Sequence, residues 1–281
     1  MKLTKLTTLA RKLPSPIYKV LAQSYIDKEF PRHLFIETTA NCNLACSYCP
    51  REKIKEDMDF DLFKSIVDEA SCYGARSFSL HLFGEPLLYR HIIPAINYIK
   101  SRNKRHTVLL TTNGTLLNKF ARELQSSKVD RIIWSWRRNN FNDESIKLLR
   151  ERGLVRLLIE ETPPDEFERW SKFPRVEVKH LHNYGGDIDL SKWGYIKAPD
   201  KRYPCYHLWL APAVRWNGDM TFCCNVSKHT VYSTLGSVLQ RSIHDMWKSN
   251  QLNEVRNDHL KGEYKDACRN CDSWKAYPSI F

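Results

Sequence analysis

The sequence predicts an α/β fold: a partial (β/α)6, TIM-like barrel with a small C-terminal domain made of a β-hairpin plus a helix. Three observations carry this. Six short β-rich runs alternate with helical segments between residues 33 and 182. That alternation gives a parallel sheet with right-handed crossovers, and six units are too few for a closed eight-stranded barrel. Beyond residue 204 the alternation stops, and Trp216-Asn217-Gly218-Asp219 signals a hairpin.

In chain order, residues 1–32 place Leu3, Leu6, Ala10, Leu13, Ile17, Val20 and Leu21 at near-helical spacing broken by Pro14 and Pro16, which predicts an N-terminal helical extension packed on its own domain. Residues 33–186 form the barrel. Its strands are expected at Leu34–Thr38, Ser77–Leu82, Thr107–Thr111, Arg131–Ser135, Val155–Ile159 and Arg175–His180. Helical periodicity falls at Asp59–Ser71, Arg90–Lys100, Asn118–Gln125 and Asp143–Arg152, several opening on Asp or Asn caps. Residues 187–204, with Lys192, Trp193, Pro199 and Pro204, read as a linker across the barrel mouth. Residues 205–281 form the last domain, with Cys223 on the strand returning from the hairpin and a helix at His244–Lys248.

Composition narrows the class. A chain of 281 residues holds one large domain with an appendage. No run of 18 apolar residues occurs, which excludes a transmembrane helix, and no secretory signal is recognisable, so a cytoplasmic location is expected. Nine cysteines are then more readily ligands or free thiols than disulfides. The net charge of +12 attracts phosphate or carboxylate, whereas no nucleic-acid-binding motif accompanies it.

The chemistry centres on Cys42-Asn43-Leu44-Ala45-Cys46-Ser47-Tyr48-Cys49, three thiols in one loop after the first strand. Such an array suits zinc or an iron–sulfur cluster, and spacing alone leaves both open. Three ligands leave a coordination position for chemistry. In a parallel sheet function collects at the carboxyl ends of the strands. There stand Phe83-Gly84-Glu85-Pro86, Thr111-Thr112-Asn113-Gly114-Thr115, Trp134-Ser135-Trp136-Arg137-Arg138 and His180-Leu181-His182-Asn183-Tyr184. A second set, Cys205, Cys223, Cys268 and Cys271, offers four thiols, and as residues alone these suit a closed zinc site equally. Cys72 and Cys224 lie outside both sets.

The CxxxCxxC loop, with Tyr48 before its last cysteine, resembles the signature of the radical S-adenosylmethionine (SAM) superfamily. The resemblance covers residues 33 to 275. It implies that Cys42, Cys46 and Cys49 hold a [4Fe-4S] cluster whose fourth iron SAM chelates. Gly84, Glu85 and Pro86 resemble the family's GEP-type motif, which bonds the SAM amino group; Thr111, Asn113 and Ser135 match further positions near SAM. Arg137 stands where many relatives carry an acid, so a cation facing a SAM or substrate carboxylate, or a phosphate, is one expectation and stacking on Trp136 the other. His182 or Asn183 is expected to meet substrate.

The second cysteine set, with Gly236-Ser237-Val238 and the helix carrying Ile243 and Trp247, resembles the SPASM/twitch extension. No cysteine follows Cys271. That matches the shortened twitch form, with one auxiliary [4Fe-4S] cluster held by Cys205, Cys223, Cys268 and Cys271. Spacing and size resemble the single-auxiliary-cluster dehydrogenases of aminoglycoside biosynthesis. The function implied is a radical SAM oxidoreductase that dehydrogenates a polar small molecule such as a sugar or aminocyclitol. Arg137, His182 and the basic balance give that substrate an anionic character, and the reducing partner would be a flavodoxin or ferredoxin. A radical epimerase using Cys224 as hydrogen donor, a peptide-modifying enzyme and a zinc-stabilised binding protein stand as alternatives. A front module that many peptide-modifying relatives carry is not expected here.

Overall fold

The computed structural model describes residues 27–191, 202, 204–228 and 230–273. The N-terminal extension, apart from residues 27–32, and most of the expected linker therefore lie outside the described residues. Six parallel strands appear in sequence order: β1 His33–Ile36, β2 Ser77–Ser79, β3 Thr107–Thr112, β4 Arg131–Ser135, β5 Gly153–Leu158 and β6 Val176–Lys179. Five helices connect them: α1 Phe60–Cys72, α2 Ile92–Arg102, α3 Leu117–Ser126, α4 Asp143–Arg152 and α5 Pro164–Ser171. The fold is the partial TIM-like barrel expected.

The C-terminal strands do not form a sheet of their own. Strand β7 Ala213–Val214 lies parallel to β1, pairing Phe35 with Ala213 and Ile36 with Val214; β8 Asp219–Thr221 and β9 Thr234–Ser237 follow antiparallel. One nine-stranded sheet results, ordered β6-β5-β4-β3-β2-β1-β7-β8-β9. Helices α6 Ile243–Trp247 and α7 Asn250–Lys261 complete the C-terminal part.

Period-2 alternation divides the sheet into two faces. Leu34, Ile36, Phe78, Leu80, Val108, Leu110, Ile132, Trp134, Val155 and Leu157 join the helix-facing core with Phe63, Ile66, Ile96, Leu124 and Leu148. The opposite face turns Phe35, Ser79, Leu109, Thr111, Ile133, Ser135 and Arg156 into the barrel lumen. On that face Phe35, Ala211 and Ala213 form a small separate cluster, as do Tyr48, Leu158, Leu181 and Leu190.

Local signals explain the helix starts. Asp59 caps α1 by accepting from the Asp61 and Leu62 N–H groups, and Asn142 caps α4 from Ser145. Helices α5 and α7 were not expected from the sequence. Yet α5 carries proline at its first turn followed by Asp165 and Glu166, and α7 has Ser249 as cap and left-handed Gly262 at its end. Cys223 lies just beyond β8 rather than on it, because that strand stops at Thr221.

The cysteine loop is pinned where β1 and β2 end. Ala40 donates to the Glu56 carbonyl and Met58 to Thr38, closing the loop at its base. Gly84 crosses it so tightly that an added Cβ would stand 1.9 Å from the Thr39 carbonyl oxygen, and the Glu85 N–H reaches the Asn41 carbonyl at 2.8 Å. Backbone cannot retreat as a flexible side chain can. Gly84→Ala is therefore expected to cost about 3 kcal/mol in urea denaturation; an unchanged midpoint would contradict this packing.

Candidate active site with two cysteine centres

Cys42, Cys46 and Cys49 converge at the carboxyl end of β1. Burial, first, and then neighbouring charges including the Cys46 sulfur push the Cys42 and Cys49 thiols up. Arg51 donates to the Cys42 and Leu44 carbonyls, fixing the loop backbone. Among the described residues, the one group of three ligand atoms all within 4.8 Å of one another is His207, Cys223 and Cys224. At least one pair of the loop sulfurs thus stands wider than the roughly 3.8 Å that a tetrahedral zinc with ~2.3 Å bonds requires. Three spread thiols suit a multinuclear cluster with an open iron.

Glu85 is buried and turned inward. Its carboxylate accepts from Thr112 Oγ1 at 2.7 Å and from the Asn113 and Leu87 N–H groups at 2.8 and 3.2 Å. Burial pushes this carboxyl up, against those three donors. Both oxygens are thereby engaged by the protein, and the residue fixes the end of β3. Pro86 begins a 3-10 turn, Pro86–Leu88, capped by Glu85. Asn113, held in this way, donates to Asn43 Oδ1 at 3.0 Å and lies 3.9 Å from Cys42 Sγ. Thr111 Oγ1, on the lumen face of the same strand, is buried without a partner among the described residues, as an atom awaiting a ligand would be. Ser135 ends β4 half-buried, opposite Arg156.

Arg137 is drawn to the cysteine loop rather than to Trp136's ring. Its guanidinium donates to the Tyr48 hydroxyl, lies 3.6 Å from Cys46 Sγ, and sits over the Tyr48 ring at 5.5 Å. The histidines after β6 separate: His180 pairs with Glu160 at 2.8 Å on the exposed side, while His182 packs on Tyr184 with ring centres 3.9 Å apart. Asn183 has another task than the expected substrate contact. Its N–H donates to the Asp272 carboxylate at 2.9 Å, its amide to the Asn270 carbonyl at 2.7 Å, and its oxygen accepts from the Asp272 N–H. This clasp joins the barrel mouth to the Cys268–Cys271 loop.

The second set converges as well. Burial, first, raises the Cys268 and Cys271 thiols, followed by the neighbouring sulfurs of Cys223 and Cys205. Arg202 donates to the carbonyls of Cys268, Arg269 and Cys271, stapling that loop, and the Cys205 N–H meets His259 Nδ1 at 3.3 Å. Four inward thiols fit a closed cluster. The Cys224 sulfur lies within 4.8 Å of the Cys223 sulfur, and its side chain packs against Phe35, Ala211 and Ala213 on the lumen face. Cys72 is exposed at the end of α1 and takes no part.

Sequence reasoning missed a buried tyrosine beside the first centre. Tyr184 is pushed up by burial first and then by Cys49, Cys224 and Cys46, so its phenol neighbours the first cysteine set and Cys224. It has φ of 47°, an uncommon left-handed conformation for a tyrosine, and leads into Gly185, whose added Cβ would meet the Ala267 carbonyl at 2.8 Å. The glycine pair after it was the available signal. Also missed were the lumen's buried polar groups. His33 bonds Ser79 at 2.9 Å, and burial depresses both His33 and His81 to about 3, so both are neutral imidazoles. Arg156 and Lys179 share Glu177, each at 2.9 Å, which leaves the lumen a positive excess. Glu37 accepts from the Phe83 N–H at 3.2 Å and faces Arg215 at 3.5 Å; Arg215 covers the Phe83 ring at 4.6 Å and donates to the Val226 and Ser227 carbonyls.

Residues 36–135 match the family model for the radical SAM superfamily, and residues 205–272 match that of the SPASM iron-sulfur cluster-binding domain. The chain belongs to the radical SAM superfamily. Its cofactors are accordingly SAM and [4Fe-4S] clusters. A GTP 3',8-cyclase of Heliobacterium modesticaldum is 34% identical over 131 residues, 44% of this chain and 38% of that relative. The chain thus spans well under half the length of that curated relative. Among solved structures, BtrN in complex with AdoMet and 2-DOIA superposes with a TM-score of 0.64 at 19% identity, covering 86% of this chain and 93% of that one. BtrN is a 2-deoxy-scyllo-inosamine dehydrogenase, and its overall layout is similar to that of this chain. Streptococcus suis SuiB bound to precursor peptide SuiA gives 0.63 at 17% identity, covering 91% and 72%. At such identities these likenesses show the fold. No helix among the described residues is long and apolar enough to cross a membrane.

The Glu37–Arg215 pair lends itself to direct measurement. Burial, first, pushes the Glu37 carboxyl up, and Arg215 opposes this. Arg215→Met leaves the carboxylate buried alone, and a loss of about 3–5 kcal/mol in urea denaturation is expected, with much of it recovered in Arg215→Met/Glu37→Leu. A single variant as stable as wild type would contradict the pairing.

Proposed function

We propose that this radical SAM enzyme removes a hydrogen atom from a polar, anionic small molecule such as a sugar or aminocyclitol derivative, and oxidises an alcohol carbon to a ketone. The observation that carries this reading is the pair of cysteine sets, three thiols in an open set and four in a closed one, with Tyr184 beside the first set and beside Cys224, the chain neighbour of Cys223. When bound, the first cluster with SAM supplies hydrogen-atom abstraction and the second supplies an electron acceptor.

The chain's own residues do the rest. Cys42, Cys46 and Cys49 would hold the first group, and Cys205, Cys223, Cys268 and Cys271 the second. Glu85 sets Asn113 at the first centre, and Thr111 Oγ1 and Ser135 offer hydrogen bonds beside it. Arg156 and Lys179 favour an anionic substrate group, and neutral His81, whose Nδ1 lacks a partner among the described residues, can bond a substrate hydroxyl. The loop from His182 to Gly186 and the Asn183 clasp close the lumen against water. A flavodoxin or ferredoxin is the reductant in this reading, and a reducing cytoplasm suits its free thiols.

One observation favours a second reading. Cys224 faces the lumen, with Cys223 and His207 within 4.8 Å, where a thiol could return a hydrogen atom and the net change would be epimerisation. Incubating the reconstituted enzyme with SAM, dithionite and a panel of sugars, aminocyclitols and their phosphates separates the two. Oxidation predicts ketone and 5'-deoxyadenosine in equal amounts, undiminished in Cys224→Ala. Loss of product with 5'-deoxyadenosine formation retained in that variant would instead establish the thiol as donor.

A further inference from the structure

Each arginine that β5 and β7 bring to the lumen is matched by a carboxylate: Arg156 by Glu177 and Arg215 by Glu37. Arg137 differs. Among the described residues no carboxylate pairs with it; its nitrogens go to the Trp136 carbonyl, the Tyr48 hydroxyl and the Cys46 sulfur. A full positive charge is therefore directed at one thiol of the open set.

The surroundings strengthen that charge. Cys46, half-buried, packs against the cluster of Tyr48, Leu158, Leu181 and Leu190, and the guanidinium contacts its sulfur. In this part-buried contact the field of Arg137 is screened less than at a surface. The Tyr48 hydroxyl and ring hold the guanidinium in place, which keeps the N–H at the sulfur instead of letting it swing into the lumen.

We propose that Arg137 sets the reduction potential of the first centre, acting through the Cys46 sulfur to favour the reduced, more negative state. This rests on Cys42, Cys46 and Cys49 being the ligands. One-electron reduction, by dithionite in the test or by a protein reductant in the cell, adds one negative charge beside the guanidinium. Hydrogen bonds to cluster sulfurs and net local charge are the levers by which a protein tunes such potentials. Arg137 is thus a positioning and tuning residue, and the centre accepts an electron more readily than it would without it.

Redox titration followed by EPR tests this, in the absence of SAM, on the signal that SAM addition subsequently perturbs. Arg137→Gln is expected to load iron as wild type does but to titrate at a more negative potential. At the wild-type midpoint the ratio of oxidised to reduced centre should rise at least tenfold, about 59 mV for one electron. Arg137→Lys, which keeps the charge without the planar fork, should fall between the two. An unmoved midpoint in Arg137→Gln overturns the proposal, and the more instructively if SAM affinity weakens tenfold, since Arg137 would then be a SAM carboxylate ligand. Should Arg137→Gln fail to load iron, an unmoved midpoint in Arg137→Lys overturns it instead. Absence of any SAM-sensitive signal in the wild type would refute the ligand assignment itself.

Discussion

Glu37 and Arg215 meet where the barrel and the C-terminal hairpin become one sheet. Glu37 follows β1, and Arg215 follows β7, the strand that β1 pairs in parallel. The carboxylate also holds the Phe83 N–H at the entry to Gly84-Glu85-Pro86. A single buried pair therefore fixes three things at once: the edge on which the hairpin docks, the turn that crosses the cysteine loop, and the Val226–Ser227 backbone after Cys223. Removing two charges from water is expensive, so such a pair adds little net stability over an apolar replacement. Its value is in register: no other pairing of β7 with β1 brings both partners together.

From that joint the two cysteine centres follow. Gly84 packs on the first loop and Glu85 sets Asn113 against it. On the other side the Asn183 clasp and the Arg202 staple shape the Cys268–Cys271 loop. Tyr184 lies near the first set and near Cys224, which faces the lumen. The lumen is lined by neutral histidines and a cationic excess, which suits a hydroxylated, negatively charged small molecule.

The parts of this arrangement that depend on local chain were legible in the sequence. Cys42, Cys46 and Cys49 lie within eight residues, and chelation by one loop requires nothing distant. The six strands were legible because each buries a short apolar run, and α1 because Asp59 caps it. What the sequence hid was partnership over distance. Glu37 and Arg215 are 178 residues apart, and only the register of two short strands joins them. Asn183 and Asp272 are 89 apart, so an asparagine after a strand was expected at substrate when it serves as a clasp. Glu85 was legible as a carboxylate at a strand end, but its bonds to Thr112 and the Asn113 N–H were not. Arg137 stood out as a cation at a strand end, while its contact with Cys46 depended on a loop reaching across from β1. Helix α7 had its cap and its terminal glycine in view; its apolar positions Leu252 and Val255 were simply sparse among polar ones.

The central claim is that one continuous sheet carries two separately ligated clusters. Iron and sulfide per chain after anaerobic reconstitution test it most directly, comparing wild type with the variant carrying alanine at Cys42, Cys46 and Cys49. Two [4Fe-4S] clusters require about eight irons in the wild type and about four in the variant. A variant holding no iron, or a wild type holding only about four, would contradict the second centre and with it the electron acceptor on which the proposed oxidation depends.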